Sequence, residues 1–258
     1  MFASERQELI CKILQKKGAV TVSELTKAFS ISIETARRDL LFLEDKKLLQ
    51  RVHGGAISTG RMSQNQDYSA RIDENKALKH ELCEYAADLI NEGDIIALDS
   101  GTTAIELAEI IKIRFKNLTV VTHDPNIFHI LSENETLKLI LAGGHFCKEE
   151  NAFYGPIATS VYENLHVSKA FVFASAISLK FGVSGFSEIM TPVQKTILDI
   201  SDKVIVCADS DKFEKTALIK LCDLNENHTY ITDSNLSDSI FELYAENNLN
   251  IVKGPFAK

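Results

Sequence analysis

The chain has 258 residues, 45% of them hydrophobic and 25% charged, and its formal net charge is −8 at pH 7. This composition is typical of a folded globular protein and excludes a fibrous or wholly disordered chain. Apolar runs such as residues 95–98 and 139–142 are far shorter than the roughly 20 residues of a membrane-spanning helix. The N-terminal residues lack the basic and apolar regions of a signal peptide, so we expect a cytoplasmic protein that does not contact a membrane.

Charge is distributed unevenly along the chain. Residues 1–61 contain 11 Lys and Arg against 7 Asp and Glu, whereas residues 62–258 contain 17 against 29. A modestly basic head is therefore joined to an acidic body. Such asymmetry is a weak indication that the head binds nucleic acid.

The first 45 residues predict three short helices. Apolar residues recur at helical spacing between Ser4 and Lys17, and Gly18 is a natural end for this helix. Ser23 is the predicted N-cap of a brief second helix, and Ser32 is the predicted N-cap of a third. Residues 36, 40 and 43 form the inner face of the third helix. Two short helices joined by a turn of about three or four residues predict a helix-turn-helix.

The third helix carries the candidate base-reading residues. When its inner face is buried, Thr35 and Arg38 point outward, near the helix start at Ser32, and are placed to reach base edges in a major groove. The planar fork of Arg can bond O6 and N7 of guanine together, whereas a phosphate contact from Arg37 carries no sequence information. The alternative is that Arg37, Arg38 and Asp39 form a solvated, salt-bridged helix surface.

Residues 48–58 favour the DNA-binding interpretation, because they predict a short hairpin with a His-Gly-Gly tip. Gly54 and Gly55 permit positive φ and close approach of the backbone to a neighbour. Arg51 and His53 are placed to touch phosphates or a minor groove. The hairpin completes a winged helix-turn-helix.

The runs SISIETARRDLLFLE and LLQRVHGGA resemble the N-terminal signature of the DeoR family of bacterial transcriptional repressors. Ala36 departs from this signature, since the family usually has Ile before the paired arginines. The resemblance implies that residues 35–56 are a DNA-reading helix and wing, and that residues 1–58 bind double-stranded operator DNA. Because one small head offers few contacts, we expect a homo-oligomer, either a dimer or a tetramer, whose paired heads read two half-sites.

The rest of the chain predicts an α/β domain. Residues 59–75 are polar and predict a linker, and a helical pattern resumes at residue 76. Over residues 76–258, strands alternate with helices, which predicts a layered domain with a mainly parallel sheet. The predicted strands are residues 95–98, 118–122, 137–142, 170–174, 203–209 and 229–232.

Loops that follow predicted strands carry candidate ligand-binding residues. The run Asp99-Ser100-Gly101-Thr102-Thr103 combines a glycine, three hydroxyls and a helix start, and this combination suits a phosphate. The same pattern also suits ordinary helix capping. Two further loops add possible cations, namely Lys148 in residues 141–151 and Lys212 after Asp209.

These loops resemble the DeoR-family sensor domain, which is similar in fold to ribose-5-phosphate isomerase and typically senses phosphorylated sugars. The resemblance implies a phosphorylated sugar as the effector. It adds Lys195, which matches a lysine of the family, and His123, which stands where the family commonly has Asn. Residues 176–178 read Ala-Ile-Ser where the family commonly has Gly-Ile-Asp. Isomerase chemistry is therefore not expected, because it needs a carboxylate base close to the sugar carbon.

Metal and cofactor sites are not predicted. The five cysteines are widely scattered and include no C-x-x-C pair. His123, His145 and Cys147 lie in different loops without a recognised ligand spacing.

The most consistent function is a ligand-controlled transcription factor, a repressor of a carbohydrate-metabolism operon that is not an enzyme. One alternative is a sugar-phosphate isomerase-like enzyme with an N-terminal helical extension. A second alternative, an interaction module that binds neither DNA nor a ligand, leaves the predicted wing unexplained.

Overall fold

A computed structural model of the protein describes residues 3–17, 19–46, 48–52, 54–57 and 68–254. The chain divides into two compact units, Met1–Asn65 and Gln66–Lys258. The division falls within the predicted linker, residues 59–75. His53 and Gly18, two residues with predicted roles, lie outside the described residues.

The first unit is a winged helix-turn-helix, as predicted. Its core joins the three helices to a three-stranded antiparallel sheet of order β1-β3-β2. The elements are α1 (Ala3–Lys17), β1 (Ala19–Thr21), α2 (Val22–Phe29), α3 (Ile33–Asp45), β2 (Gln50–Val52) and β3 (Gly55–Ile57). The buried core residues are Ile10, Leu14, Val20, Leu25, Ala36, Leu40, Leu43, Leu49 and Ala56.

The N-cap of α2 is Thr21, so the prediction of Ser23 is wrong. The Thr21 hydroxyl accepts a hydrogen bond from the Glu24 N–H at 3.1 Å, and the Glu24 carboxylate accepts one from the Thr21 N–H at 2.8 Å. This reciprocal pair is a capping box, which satisfies two otherwise free donors at once. Ser32, in contrast, caps α3 as predicted.

The paired glycines of the wing have different roles. Gly54 has φ of +87° and lies exposed at the turn between β2 and β3. A Cβ atom on Gly55 would lie 2.1 Å from the carbonyl oxygen of Val20, which belongs to the neighbouring strand β1. Gly54 therefore supplies the turn conformation, and Gly55 allows β1 and β3 to pair closely.

The second unit is the predicted α/β domain with a parallel sheet, which has seven strands because β15 joins the six that were predicted. The strand order is β15-β14-β12-β9-β4-β5-β6, and all six pairings are parallel. These strands are β4 (Ile95–Leu98), β5 (Thr119–Thr122), β6 (Lys138–Leu141), β9 (Val167–Phe173), β12 (Ser201–Cys207), β14 (Thr229–Thr232) and β15 (Asn250–Lys253). The chain proceeds from β4 to β5 and β6 on one side, then resumes at β9 on the other side of β4, so the direction of winding reverses between β4 and β9.

Helices cover both faces of this sheet. Successive residues of β4 alternate between two cores, because Ile96 and Leu98 pack with α5, α6 and α7, whereas Ala97 packs with α8, α9 and α10. The helices of the unit are α4 (Tyr68–Asp73), α5 (Lys76–Asp88), α6 (Thr102–Arg114), α7 (Pro125–Ser132), α8 (Pro156–Glu163), α9 (Thr191–Asp199) and α10 (Asp238–Glu246). Among the described helices, none is long and apolar enough to cross a membrane.

Several short elements were not predicted. The hairpin β7 (His145–Cys147) and β8 (Ala152–Tyr154) follows β6, and a small antiparallel sheet contains β10 (Ala176–Ser178), β11 (Gly182–Gly185) and β13 (Ile219–Cys222). The predicted linker, residues 59–75, is also too long, since α4 lies inside it.

Candidate DNA-binding and effector sites

The two arginines of α3 lie at the surface, whereas the aspartate that follows them is buried. Arg37 and Arg38 are exposed, and neither guanidinium has an ion-pair partner among the described residues. Asp39 is buried and accepts hydrogen bonds from Arg6 Nε at 2.5 Å and Arg6 Nη2 at 3.1 Å. The alternative of a salt-bridged helix surface is therefore wrong for Asp39, which is buried and ties α3 to α1, whereas Arg37 and Arg38 are exposed as it expected.

The first turn of α3 is fixed by two hydroxyls. Ser32 Oγ accepts a hydrogen bond from the Thr35 N–H at 3.1 Å and lies 2.9 Å from Thr35 Oγ1. Ser32 is exposed and Thr35 is partly buried. The first role of both side chains is thus to begin the helix at a defined residue, which orients Arg37 and Arg38.

The wing is attached to α3 through Arg51. Its Nε lies 2.7 Å from Glu44 Oε2, and its backbone N–H donates to Glu44 Oε1 at 2.9 Å. These contacts hold the pKa of Glu44 below its ordinary value. Arg51 thereby fixes the position of the wing relative to the C-terminal turn of α3, a role that the sequence did not predict.

In the second unit, the predicted ligand loops follow β4, β6 and β12 and therefore lie at the carboxyl edge of the parallel sheet, and β4 borders the point where the winding reverses. Asp99, directly after β4, is fully buried. Its carboxylate accepts hydrogen bonds from the Ser100 N–H at 2.8 Å, Gln194 Nε2 at 2.8 Å and the Phe173 N–H at 3.3 Å. Burial nevertheless raises the pKa of Asp99 to about 6, because it outweighs these three donors. Asp99 joins β4, β9 and α9 beneath the edge.

His123, directly after β5, lies against Asp99. Its Nδ1 is 3.1 Å from the Tyr162 hydroxyl, and its Nε2 is 3.6 Å from Asp99 Oδ1 without a hydrogen-bond partner. Burial lowers the pKa of His123 to about 3, so the ring is neutral at pH 7 and the contact with Asp99 is not an ion pair.

The start of α6 has no side-chain cap. Gly101 is its N-cap, has φ of +122°, and forms no side-chain cap. The Gly101 N–H points to Asp124 Oδ2 at 3.4 Å, whereas no side chain caps the N–H groups of the first turn, which begins at Thr102. Free N–H groups and the positive end of the helix dipole together favour negative charge at this point.

A buried lysine that the sequence analysis missed lies at the same helix start. Lys79 of α5 is 5% exposed, and its Nζ donates to Thr102 Oγ1 at 3.0 Å and to the carbonyl oxygen of Arg71. No carboxylate among the described residues lies within salt-bridge distance of its ammonium. Burial lowers the pKa of Lys79, the charge of Lys212 lowers it further, and the charge of Asp209 opposes the shift.

Lys212 and Asp209 lie close enough to Lys79 for their charges to affect its pKa. Asp209 follows β12, is buried, and accepts a hydrogen bond from the Asp211 N–H at 3.1 Å. Burial raises the pKa of Asp209, and the nearby Lys212 partly offsets this effect. The loops after β4 and β12 and the helix α5 thus contribute charges to one region.

Comparison with known proteins gives the family. The DeoR C-terminal sensor domain matches residues 74–234, and the DeoR-like helix-turn-helix domain matches residues 6–61. The chain belongs to the DeoR family. It is 33% identical to the transcriptional repressor AccR of Agrobacterium fabrum over 231 residues, which cover 89% of each chain. It is 34% identical to the lactose phosphotransferase system repressor of Streptococcus mutans, over 94% of this chain and 97% of the relative.

Among solved structures, ribose-5-phosphate isomerase A of Methanocaldococcus jannaschii aligns with 54% of this chain and 55% of that chain, at a TM-score of 0.41 and 16% identity. Membership of the DeoR family makes this chain a DNA-binding transcriptional regulator and not an enzyme, as predicted. Ser178, which stands where the family commonly has Asp, is buried, and its hydroxyl lies 3.3 Å from the Thr216 hydroxyl.

The remaining predicted site residues of this DeoR-family protein are Lys148, Lys195 and Thr103. Lys148 is in the turn between β7 and β8, and Lys195 is on α9; both are exposed. Within the described part of the chain, neither forms a hydrogen bond to residues 99–103. Thr103 is partly buried, and its carbonyl oxygen accepts from Cys83 Sγ at 3.3 Å.

Helix α4, the first described helix of the second unit, contacts several of the elements that surround the start of α6. Arg71 Nη2 lies 2.9 Å from Glu150 Oε2 in the β7–β8 turn, and the Tyr68 hydroxyl accepts from Asn126 Nδ2 at 3.4 Å. The carbonyl of Arg71 also accepts the hydrogen bond from Lys79. Helix α4 therefore contacts α5, α7 and the hairpin at once.

His, Cys, Asp and Glu side chains do not form a metal-binding group of three or more anywhere in the described ranges. His145 and Cys147 lie on the β7–β8 hairpin, whereas His123 is enclosed beneath the sheet edge.

Proposed function

We propose that this DeoR-family protein represses a carbohydrate-metabolism operon, and that a phosphorylated sugar bound at the start of α6 changes its affinity for operator DNA. The observation that carries the proposal is the position of Lys79 against Thr102. The name of the Streptococcus relative refers to a lactose phosphotransferase system, which supports a carbohydrate operon as the target.

The charges at the start of α6 support a phosphate as the group that binds. A buried ammonium and the positive end of a helix repel one another, and in the described residues Lys79 has no carboxylate at salt-bridge distance. A bound phosphate removes this imbalance, because its oxygens accept from the free N–H groups of α6, from Lys79 and from the hydroxyls of Ser100, Thr102 and Thr103.

Specificity for the sugar is assigned to the neighbouring loops. Lys212 and the exposed parts of the loops after β4 and β12 offer polar groups that suit hydroxyls. Lys148 and Lys195 remain candidate ligands for the far end of an extended molecule. Asp99 and His123 form the buried floor of this region. Because the His123 ring is neutral, the two side chains do not form an ion pair.

A route for the signal follows from the two acceptors of Lys79. One is Thr102 at the ligand site, and the other is the Arg71 carbonyl of α4, the first described helix of the second unit. A phosphate that draws the ammonium toward itself weakens its bond to Arg71 and so alters the position of α4. A coupling of about 1–3 kcal/mol is enough for a switch of roughly 5- to 150-fold.

DNA binding is assigned to α3 and the wing, with Arg38 at base edges and Arg37 at phosphates. Their exposure and lack of ion-pair partners in the described chain support this assignment. Because a single recognition helix makes few contacts, the functional unit is a dimer or tetramer that binds paired half-sites.

The test is a fluorescence-anisotropy titration with DNA from the protein's own upstream region, at two salt concentrations, with and without a panel of sugar phosphates. Each phosphorylated sugar is matched by the same sugar without phosphate. We expect selective, salt-sensitive binding that one phosphorylated sugar alters and its unphosphorylated form does not. An equal response to both forms would reject the phosphate site, and loss of selectivity for every tested DNA fragment would reject the operator assignment.

A further inference from the structure

Ile33 is the first residue of α3, and its side chain is 57% exposed. It is the most exposed of the large apolar side chains described in the first unit. Ile33 precedes Ala36 and Leu40 on the same side of α3, but it lies in the first turn, beyond the residues that form the described core. Its exposure therefore has no explanation in the packing of the unit.

The surroundings of Ile33 indicate what it contacts. Residues four apart on a helix share a face, so Ile33 lies one turn before the exposed cation Arg37. An apolar side chain beside cations suits a polyanion that offers an occasional apolar group on its surface. Duplex DNA has this property in its major groove, where the C5-methyl of thymine is the apolar group among polar base edges.

The geometry of a helix-turn-helix brings the first residues of the second helix to the base edges. The Ser32 cap fixes the residue at which α3 begins, and β-branching restricts the χ1 angle of Ile33. Such a side chain meets a methyl group with little further loss of conformational freedom. We propose that Ile33 contacts a thymine methyl in each operator half-site and so contributes to sequence specificity. This inference rests on the proposed assignment of α3 to base reading.

The experiment is a double-mutant cycle between protein and DNA. An operator is first selected from random duplexes with the wild-type protein, and each thymine is then replaced by deoxyuridine, which removes only the C5-methyl. The dissociation constants of wild type and Ile33→Ala are measured on every duplex. At one thymine per half-site, we expect uracil to weaken wild-type binding about fourfold, the factor for burying one methyl group, and to leave Ile33→Ala binding unchanged.

Leu9→Ala is the matched control, since it truncates another exposed apolar side chain of the same unit, on α1. The control protein should show the wild-type penalty for uracil. Equal uracil penalties in wild type and Ile33→Ala at every thymine would overturn the proposal, as would a loss of the penalty in Leu9→Ala. Thermal unfolding of each variant excludes a change in folding, which is not expected because both side chains are exposed.

Arg38→Ala separates failure of this inference from failure of the proposed function. If Arg38→Ala loses base preference while the Ile33 cycle is additive, α3 still reads DNA and only the thymine contact is rejected. If the wild-type protein selects no sequence from the random pool, the DNA assignment itself fails, and the thymine contact fails with it.

Discussion

The Nζ atom of Lys79 lies 3.0 Å from Oγ1 of Thr102, so a buried ammonium group stands at the N-terminus of α6. Both features attract anions and neither stabilises the other. This relationship distinguishes the site from ordinary helix capping, in which a hydroxyl alone satisfies the first N–H groups.

Replacement of Lys79 by Met should therefore remove the effector response and leave operator binding intact. We expect sugar-phosphate affinity to fall at least tenfold, because a hydrogen bond to a charged group contributes about 1.5–3 kcal/mol. Isothermal titration calorimetry measures the affinity, and anisotropy measures DNA binding. Lys76→Ala is the control, since Lys76 is an exposed lysine one turn earlier on α5. A wild-type affinity of Lys79→Met for the sugar phosphate would show that Lys79 does not bind the effector.

His123 should make the second unit less stable in acid. The pKa of His123 is lowered to about 3 in the folded protein, against about 6.5 when unfolded, so the unfolded chain binds the additional proton between these values. Stability therefore falls as the pH is lowered through this window, by up to about 1.4 kcal/mol per pH unit. Asp99 and Asp124 act in the opposite direction, because their pKa values are raised to about 6 and stability falls as pH rises from about 4 to 6.

His123→Asn isolates the histidine, since both proteins retain the two aspartates. The difference in free energy of unfolding, measured by urea denaturation between pH 7 and 5, should shift in favour of the variant as the pH falls. The exposed His129, replaced in the same way, should give no such trend. A pH-independent difference for His123→Asn would mean that burial does not lower the pKa of His123.

Arg38 and Arg37 should affect DNA binding in different ways. Arg38→Ala should cost about 1–3 kcal/mol on the selected operator and relax the base preference at one position of each half-site. Arg37→Ala should weaken binding to all sequences alike and reduce the salt slope by about 1. Anisotropy titrations on operator and scrambled duplexes, over a range of salt concentrations, measure both effects. The assignment of roles is reversed if Arg37→Ala is the variant that relaxes base preference.

Most of the head, and the succession of strands and helices in the body, could be predicted because their periodicity is strong. Thr21 was missed as an N-cap although Glu24, three residues later, signals the capping box. Helix α4 was missed because it has only six residues and follows a polar segment. The strands β7 and β10 have only three residues each, which are too few to show an alternating pattern.

Lys79 shows why the ligand site could be predicted only in part. Its position on the face of α5 that also carries Leu82, Cys83 and Ala86 was a signal, yet a lysine at a helix start usually indicates a solvated surface. Its burial depends on α4 and on residue 102, which pack against it only in the folded protein. The loop residues 99–103 were accessible to prediction because strand, loop and helix follow one another in the sequence.

Asp39 should be essential for the stability of the head. Asp39→Ala leaves the guanidinium of Arg6, which is 8% exposed, without its partner, and breaking such a buried pair costs about 3–5 kcal/mol. Circular dichroism during thermal unfolding should show an early transition of the head. Glu8→Ala removes the exposed pair with Lys12 and should change stability by less than about 1 kcal/mol. Similar effects of the two variants would contradict the structural role of Asp39.

Glu150 should affect the signal rather than the ligand. Glu150→Gln removes the ion pair with Arg71 and leaves both hydrogen bonds of Lys79 in place. This partly buried pair restrains α4. In Glu150→Gln, we therefore expect saturating sugar phosphate to change the operator affinity by a factor that differs from the wild-type factor. The affinity for the sugar phosphate itself should stay within about twofold of wild type. Calorimetry and anisotropy on the same protein separate the two quantities.

Glu133→Gln provides the comparison, since it removes a similar pair with Lys112, which joins α6 to the end of α7 away from α4. It should leave the operator response unchanged. If Glu150→Gln and Glu133→Gln both respond as wild type does, α4 does not transmit the signal. The hydrogen bond between Lys79 and Arg71 would then only stabilise the fold, and the ligand would act on the head by another route.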